Sequence, residues 1–328
     1  MNIHHEGPLA NSISLYLSHK RALGRRMEKP KSVLRLLDEY LVEQKVEDLN
    51  QISPVHLEGF LRSRPRRRGR SYNELLGAVR RLFDWLVSQE KLASSPLQCS
   101  PRRVSPALPP FLFSPDQVRR LFDLTRQLRP HPRAPDQGET YRMIFALLYG
   151  LGLRVGEVCR LQRRDIDLDQ QLLVVRKAKF GKDRLVPFGP RMAHAISDYL
   201  QRTDAHGDAL PAECPVFSFD PNKRRPVQPT TVSARFHGLV AKLNLSISAG
   251  VAAPRLHCLR HSFAVGTLLR WYRTGVDPMT RLFDLSTFLG HVSPSSTAVY
   301  LTITPELLAC ASQRFASFAA GSRKEGVR

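Results

Sequence analysis

Cysteine is scarce in this 328-residue chain: Cys99, Cys159, Cys214, Cys258 and Cys310 are odd in number and widely scattered. None forms a C-x-x-C pair or stands at metal-ligand spacing from a histidine, which removes the basis for a disulfide framework or a zinc site. They read as small core residues of a protein kept in a reducing compartment. No run approaches the ~20 consecutive apolar residues a membrane helix needs. The opening residues, MNIHHEGPLANSISLYL, lack the basic start and apolar core of an export signal. No internal repeat is visible. A cytoplasmic protein with no membrane partner is the expectation. Acidic residues are also few: 29 Asp and Glu stand against 50 Lys and Arg, a formal charge of +21. Such a surplus repels itself in a folded chain, so a polyanionic partner is its natural explanation. Most of the basic residues are arginine, whose planar fork suits phosphate.

Proline and serine concentrate in ASSPLQCSPRRVSPALPPFLFSP (93–115), which reads as an extended linker, placed at 93–113, between two helical regions. Upstream, helical periodicity runs over about 9–24, 31–46, 53–63 and 70–90, the last with Leu75, Leu76, Val79, Leu82, Phe83 and Leu86 on one stripe. These four helices form a small all-α bundle over 9–92. Between the third and fourth lies RSRPRRRGR, in which Arg62, Arg64, Arg66, Arg67, Arg68 and Arg70 make a candidate phosphate-contacting segment. Downstream, over 114–328, Ser114-Pro115-x-Gln117 opens a helix with a capping-box pattern. QLLVVRKAKFGKDRLVPF (171–188) reads as two strands about a lysine-rich turn, and helices are expected near 138–150, 190–201, 228–243, 257–273, 280–289 and 305–318. The fold class is mainly α with a small antiparallel sheet.

Cleaving a phosphodiester without a metal needs cationic donors for two non-bridging oxygens, an in-line nucleophile and an acid for the leaving oxygen. Four stretches hold such groups. GLGLRVGEVCRL carries Arg154 at a loop-to-helix junction with Glu157 three residues on. The hairpin turn carries Lys177, Lys179 and Lys182. PRLHCLRHSF places His257 and Arg260 on one face of a helix start, and LGHVSPSSTAVY supplies His291 and Tyr300.

In this order, G-L-R-x-x-E, a hairpin lysine before R-x-V-P, H-x-x-R, L-G-H and a tyrosine nine residues later resemble the tyrosine recombinase (phage integrase) family. The resemblance covers the second region throughout, and the N-terminal bundle looks like the family's core-binding, SAM-like domain. It implies Tyr300 as the nucleophile of a 3′-phosphotyrosine intermediate, with Arg154 and Arg260 on the non-bridging oxygens. It implies Lys179 as the acid for the 5′-oxygen, His257 in proton transfer and His291 on the scissile phosphate. A phenol with a pKa near ~10 needs its proton removed or its charge stabilised, which clustered arginines and histidines provide. The covalent link keeps the phosphoester energy, so neither ATP nor a metal or other cofactor is implied.

The turn departs from the family's G-K-G-x-K, reading Ala178-Lys179-Phe180-Gly181-Lys182, so Lys177 and Lys182 stay open as alternatives. The segment from Arg260 to His291 is long and includes Tyr272, which reads as packing. Glu157 reads as orienting Arg154 by an ion pair, and His261 as a buried group behind the catalysts. The helix at 304–318 is amphipathic, and docking in cis or onto a neighbour stays open. The expectation is a nucleoid-associated site-specific recombinase of a mobile element, clamping double-stranded DNA as a homotetramer through a Holliday junction. Partner recombinases or accessory DNA-bending proteins are possible companions. Its alternatives are a type IB topoisomerase or a catalytically silent DNA-binding relative.

Overall fold

The structure is a computed structural model, and it describes residues 7–25, 27–132, 134–176, 183–204, 210–220, 222, 224–291, 293, 295–302, 309 and 312. The three candidate lysines of the hairpin turn and nearly all of the 304–318 helix lie outside the described residues. The chain divides into two compact units, Met1–Ala107 and Leu108–Arg328.

The first unit is built from α1 (Ala10–Ala22), α2 (Glu28–Glu43), α3 (Pro54–Ser63) and α4 (Gly69–Ser88). The stripe of α4 is buried as its periodicity predicts, with Leu75, Leu76, Val79, Leu82, Phe83 and Leu86 all at most 3% exposed. It packs against Leu34, Leu37 and Leu41 of α2 and Leu57 and Phe60 of α3. Helix α3 starts where Ser53 and His56 cap each other and Pro54 fills the first turn. Of the Pro- and Ser-rich stretch, Leu97 and Cys99 pack on this core. Arg102 exchanges hydrogen bonds with Asn73 and lies 4.0 Å over the Tyr72 ring.

The second unit contains α5 (Pro115–Arg126), α6 (Gln137–Gly150), α7 (Val155–Val158), α8 (Pro190–Asp204), α9 (Pro229–Val240), α10 (His257–Arg273), α11 (Leu282–Leu289) and α12 (Ser295–Ala298). Ser114 and Gln117 form the expected capping box at the start of α5. Phe111 and Phe113, from the end of the stretch read as a linker, are buried in this unit's core. The sheet has three antiparallel strands in the order β1 (Ile166–Asp167), β2 (Leu172–Val175) and β3 (Arg184–Pro187). The two-residue β1 carries too short a pattern to announce itself in sequence, so only the β2–β3 pair is legible there. Leu173 pairs with Val186 and Val175 with Arg184. Side chains alternate along a strand, so Arg184 shares the face of buried Val186 while Leu185 between them is 60% exposed. That alternation turns a strand arginine inward, towards α7 and α11.

The described residues thus form a mainly helical chain with one small antiparallel sheet, the fold class expected from sequence. No helix among them is long and apolar enough to cross a membrane.

Candidate active site

The site is organised around one carboxylate and the end of one helix. Glu157, on α7, has a side chain only 2% exposed and accepts four hydrogen bonds. The Arg154 backbone N–H (2.9 Å) and guanidinium (2.8 Å) supply two, and both terminal nitrogens of Arg184 (2.9 Å each) supply the rest. In the first pair the Glu157 carboxylate caps the backbone N–H at the start of α7 and holds the Arg154 guanidinium; the second is the fork-on-fork arrangement that arginine favours with carboxylates.

The carbonyls at the C-terminus of α11 are orphaned by helix geometry, and each finds a donor. Gly290, left-handed at φ +65, directs its own N–H to the Thr287 carbonyl and the His291 N–H to Ser286. The next three carbonyls each take a guanidinium: Phe288 from Arg184, Leu289 from Arg260 and Gly290 from Arg154. Arg260 also donates to the Gly152 carbonyl. Both glycines are required. Gly152 has φ +60, and a Cβ there would lie 2.5 Å from the Phe263 ring; one on Gly290 would lie 2.9 Å from the Arg184 guanidinium.

Three guanidiniums therefore face one carboxylate, a surplus of two positive charges. Arg260 is 1% exposed, and its Nε has no hydrogen-bond acceptor among the described residues.

The imidazoles and the phenol lie beside this cluster. His257, exposed, and His261 stand one turn apart on α10, with ring centroids 4.6 Å apart edge to face. Tyr300 follows α12 on the short 3-10 turn Val299–Thr302 and is 4% exposed. It packs with Ala264, Val265 and Leu268 of α10 and Leu285 and Leu289 of α11. Its hydroxyl lies 2.9 Å from Nδ1 of His261, and the His291 ring stacks on it at 6.3 Å. His291 is held by a 2.7 Å bond from its own Nδ1 to the hydroxyl of buried Thr297.

The structure thus brings Arg154, Glu157, His257, Arg260, His291 and Tyr300 together, while Lys179 lies outside the described residues. The arginines of 62–70 are in the other unit. Arg62 pairs with Glu58 at 3.3 Å. Arg64 is engaged by the protein, bonding the Leu36 carbonyl and lying 4.7 Å over Phe60. The half-buried Arg66 bonds the Pro65 carbonyl, whereas Arg67, Arg68 and Arg70 are exposed. Sequence reasoning missed the part of Arg184, which entered only as the start of R-x-V-P, although a lone arginine at an inward strand position was a usable signal. His261, read as a buried group behind the catalysts, lies on the same helix face as His257 and reaches the Tyr300 hydroxyl.

Residues 112–306 match the model of the phage integrase family. The chain belongs to that family. A tyrosine recombinase, XerA of Thermococcus kodakarensis, is 33% identical over 267 residues, covering 81% of this chain and 82% of that protein. Two putative integrase/recombinases of Sinorhizobium fredii are also similar. One, y4rB, is 36% identical over 206 residues, 62% of this chain and 65% of its own length, just under two thirds. The other, y4rE, is 29% identical over 306 residues, 93% and 95% of the two chains. Two solved structures share the fold. A lambda integrase dimer bound to a COC′ core site gives a TM-score of 0.59 at 17% identity, over 89% of this chain and 76% of that one. The Tn1549 transposon integrase in complex with transposon right end DNA gives 0.60 at 16%, over 93% and 99%. By family, the chain is a tyrosine-type site-specific DNA recombinase.

In this integrase-family site the protonation states follow from burial and charge. Burial alone would raise the Glu157 carboxyl, but the bonds from Arg184 and Arg154 hold it at about 2. Burial and the Arg154 charge lower Arg260 only to about 10, so it stays cationic. Burial, then Arg260, brings His261 to about 4, and burial with the three arginines does the same to His291. Both imidazoles are neutral at pH 7. Burial raises the Tyr300 phenol, with Arg260 and Arg154 pulling the other way.

Replacing Glu157 with Gln removes the one negative charge and leaves the guanidiniums mutually repelling. Loss of one partner from a buried ion pair costs about 3–5 kcal/mol, so E157Q should lower the urea midpoint of the second unit accordingly. An unchanged midpoint would show that the carboxylate is not what holds the cluster. The imidazoles make a second expectation. Their folded pKa values lie below the unfolded one, so their stabilising effect is complete above pH ~6.5 and is lost as pH falls towards 4. The Glu157 contribution persists to about pH 4.5 and goes as pH falls towards 2. The urea midpoint should therefore drop between pH 7 and 5, and drop less in a His261→Asn, His291→Asn double variant. Equal drops would contradict neutral imidazoles.

Proposed function

We propose that the protein cleaves and rejoins DNA at specific sites through a 3′-phosphotyrosine on Tyr300, exchanging strands through a Holliday junction in the integration or transposition of a mobile element. The observation that carries this is the meeting of Tyr300 with Arg154, Arg260, His257 and His291 around a cationic surplus. A phosphodiester seated there supplies the missing negative charge. Arg154 and Arg260 each hold five N–H donors; each bonds two protein acceptors and Arg260 also reaches the Tyr300 hydroxyl, which leaves donors for the non-bridging oxygens. The same anion draws the imidazoles back towards the range in which they exchange protons. In this reading His257, which is exposed, serves proton transfer and His291 bonds the scissile phosphate. Glu157 orients Arg154, and Lys179 of the hairpin turn protonates the 5′-oxygen.

Double-stranded DNA is the partner in this reading, and the charge of +21 supports it. The solved neighbours in DNA complexes are of the same fold, and assembly as a homotetramer on paired sites in the nucleoid completes the reading. Tyr300 lies beside the arginines of its own chain, which favours cleavage in cis.

The test is a nicked suicide duplex made from the DNA flanking the gene. The wild-type protein should be trapped as a covalent adduct and Tyr300→Phe should not. An adduct on the Phe variant would overturn the nucleophile assignment. Relaxation of any supercoiled plasmid without a site requirement would favour the topoisomerase alternative.

Of the exposed arginines in the 62–70 run, Arg62 pairs with Glu58, which leaves Arg67, Arg68 and Arg70. If they neutralise phosphates, their triple alanine variant should flatten the log–log salt dependence of duplex binding by about 0.9 for each phosphate no longer neutralised. Arg64→Ala should leave that slope unchanged, because its guanidinium already serves the Leu36 carbonyl and Phe60. Filter binding between ~50 and ~200 mM salt reads the difference.

A further inference from the structure

We propose that His261 is a catalytic residue, the base that takes the proton of the Tyr300 hydroxyl as it attacks phosphorus. The inference rests on the reading of Tyr300 as the nucleophile.

The geometry distinguishes His261 from the other two imidazoles. Its Nδ1 stands 2.9 Å from the phenol oxygen, within reach of a direct transfer. Nδ1 of His291 is occupied by the Thr297 hydroxyl, and its ring stacks on that of Tyr300 at 6.3 Å. His257 packs edge to face with His261, and among the described residues no hydrogen bond joins it to the phenol. With the hydroxyl donating, His261 carries its own proton on Nε2 and presents an acceptor lone pair at Nδ1. Burial and the Arg260 charge keep that ring neutral, so the lone pair is available at pH 7. The same Arg260 acts on the phenol oxygen and favours its anion.

Helix geometry fixes the alignment. His257, Arg260 and His261 occupy one face of the first turn and a half of α10, and Ala264, Val265 and Leu268 extend that face as the wall against Tyr300. The phenol is thus held by apolar contact along its ring and, at its reacting atom, by His261 and the Arg260 guanidinium.

In the step itself, the proton leaves the Tyr300 oxygen for His261 Nδ1 as the bond from that oxygen to phosphorus forms. The bond from phosphorus to the 5′-oxygen breaks, and the 5′-oxygen departs with a proton from the leaving-group acid. His261 becomes an imidazolium. On religation it returns the proton to the phenol as the 5′-hydroxyl reattacks, so the cycle closes without an added reagent. The surrounding charges limit how long the imidazolium lasts. Burial and Arg260 disfavour it, and a bound phosphodiester favours it.

The experiment measures adduct formation on a nicked duplex that traps the wild-type protein, using His261→Ala and His261→Asn. The asparagine fills the site with a hydrogen-bonding group that cannot take a proton at neutral pH, which separates proton acceptance from packing. Thermal melting and duplex binding confirm that each variant is folded. The expected loss in cleavage rate is about 100-fold, the lower range for a positioned base. Two substitutions then locate the defect. A ring-fluorinated tyrosine at position 300, with a more acidic phenol, should restore most of the rate to the variants. A substrate with a 5′-bridging sulfur, which leaves without needing an acid, should not. Rescue by the sulfur substrate and not by the fluorinated phenol would overturn the assignment, as would a wild-type rate in His261→Asn. Tyr300→Phe separates the two readings. If it still forms adduct, the nucleophile is elsewhere. If it is inert while His261→Asn is as fast as wild type, only the base assignment fails.

Discussion

The second unit depends on how three guanidiniums can be gathered with only one carboxylate among them. Each is drawn from a different element: Arg154 at the start of α7, Arg184 on β3 and Arg260 on α10. Glu157 binds the first two, but one carboxylate cannot neutralise three cations. The remaining stabilisation comes from the C-terminus of α11, whose carbonyls at Phe288, Leu289 and Gly290 take one arginine each. Helix C-termini carry partial negative charge and unsatisfied acceptors together, so this helix end acts as a second, distributed anion. Short helix, strand and long helix are locked to one point by it. The arrangement is stable enough to fold yet retains the positive surplus that a phosphodiester would meet.

This constraint explains where sequence reasoning succeeded and where it stopped. The four helices of the first unit, the capping box at Ser114 and the span of α10 were legible because they rest on short-range periodicity and capping. The members of the cluster were legible as residue types in an order that resembles a family. What the order could not convey was the hydrogen bonding between elements. Arg184 lies 27 residues from Glu157 and 104 from Phe288, and no local pattern encodes either contact. Only the pleat of β3, with Val186 buried and Leu185 exposed, shows that position 184 points inward.

His261 illustrates a different limit. Its sequence position sets it one turn from His257 and reads as that of a buried supporting group, and in the structure it is half-buried. The missing element was Tyr300, 39 residues away, whose hydroxyl arrives at its Nδ1. Burial alone therefore does not define the role of an imidazole; in the proposed reading, the group at the other end of the hydrogen bond does.

The same reasoning bears on the stretch from His291 to Tyr300. Its small, hydroxylated residues look like a surface connection, yet Thr297 is fully buried and fixes His291, while Tyr300 closes an apolar cluster. Small side chains allow this because α12 and the turn after it must pass close to α11 and α10. A phenol held there is shielded from water, which raises its pKa and keeps it protonated until charge nearby changes. Arginines that favour its anion and an imidazole hydrogen-bonded to its hydroxyl stand beside it. In the proposed reading, shielding and activation arise from one set of contacts, and the entry of an anion into the arginine cluster would shift the balance from the first to the second.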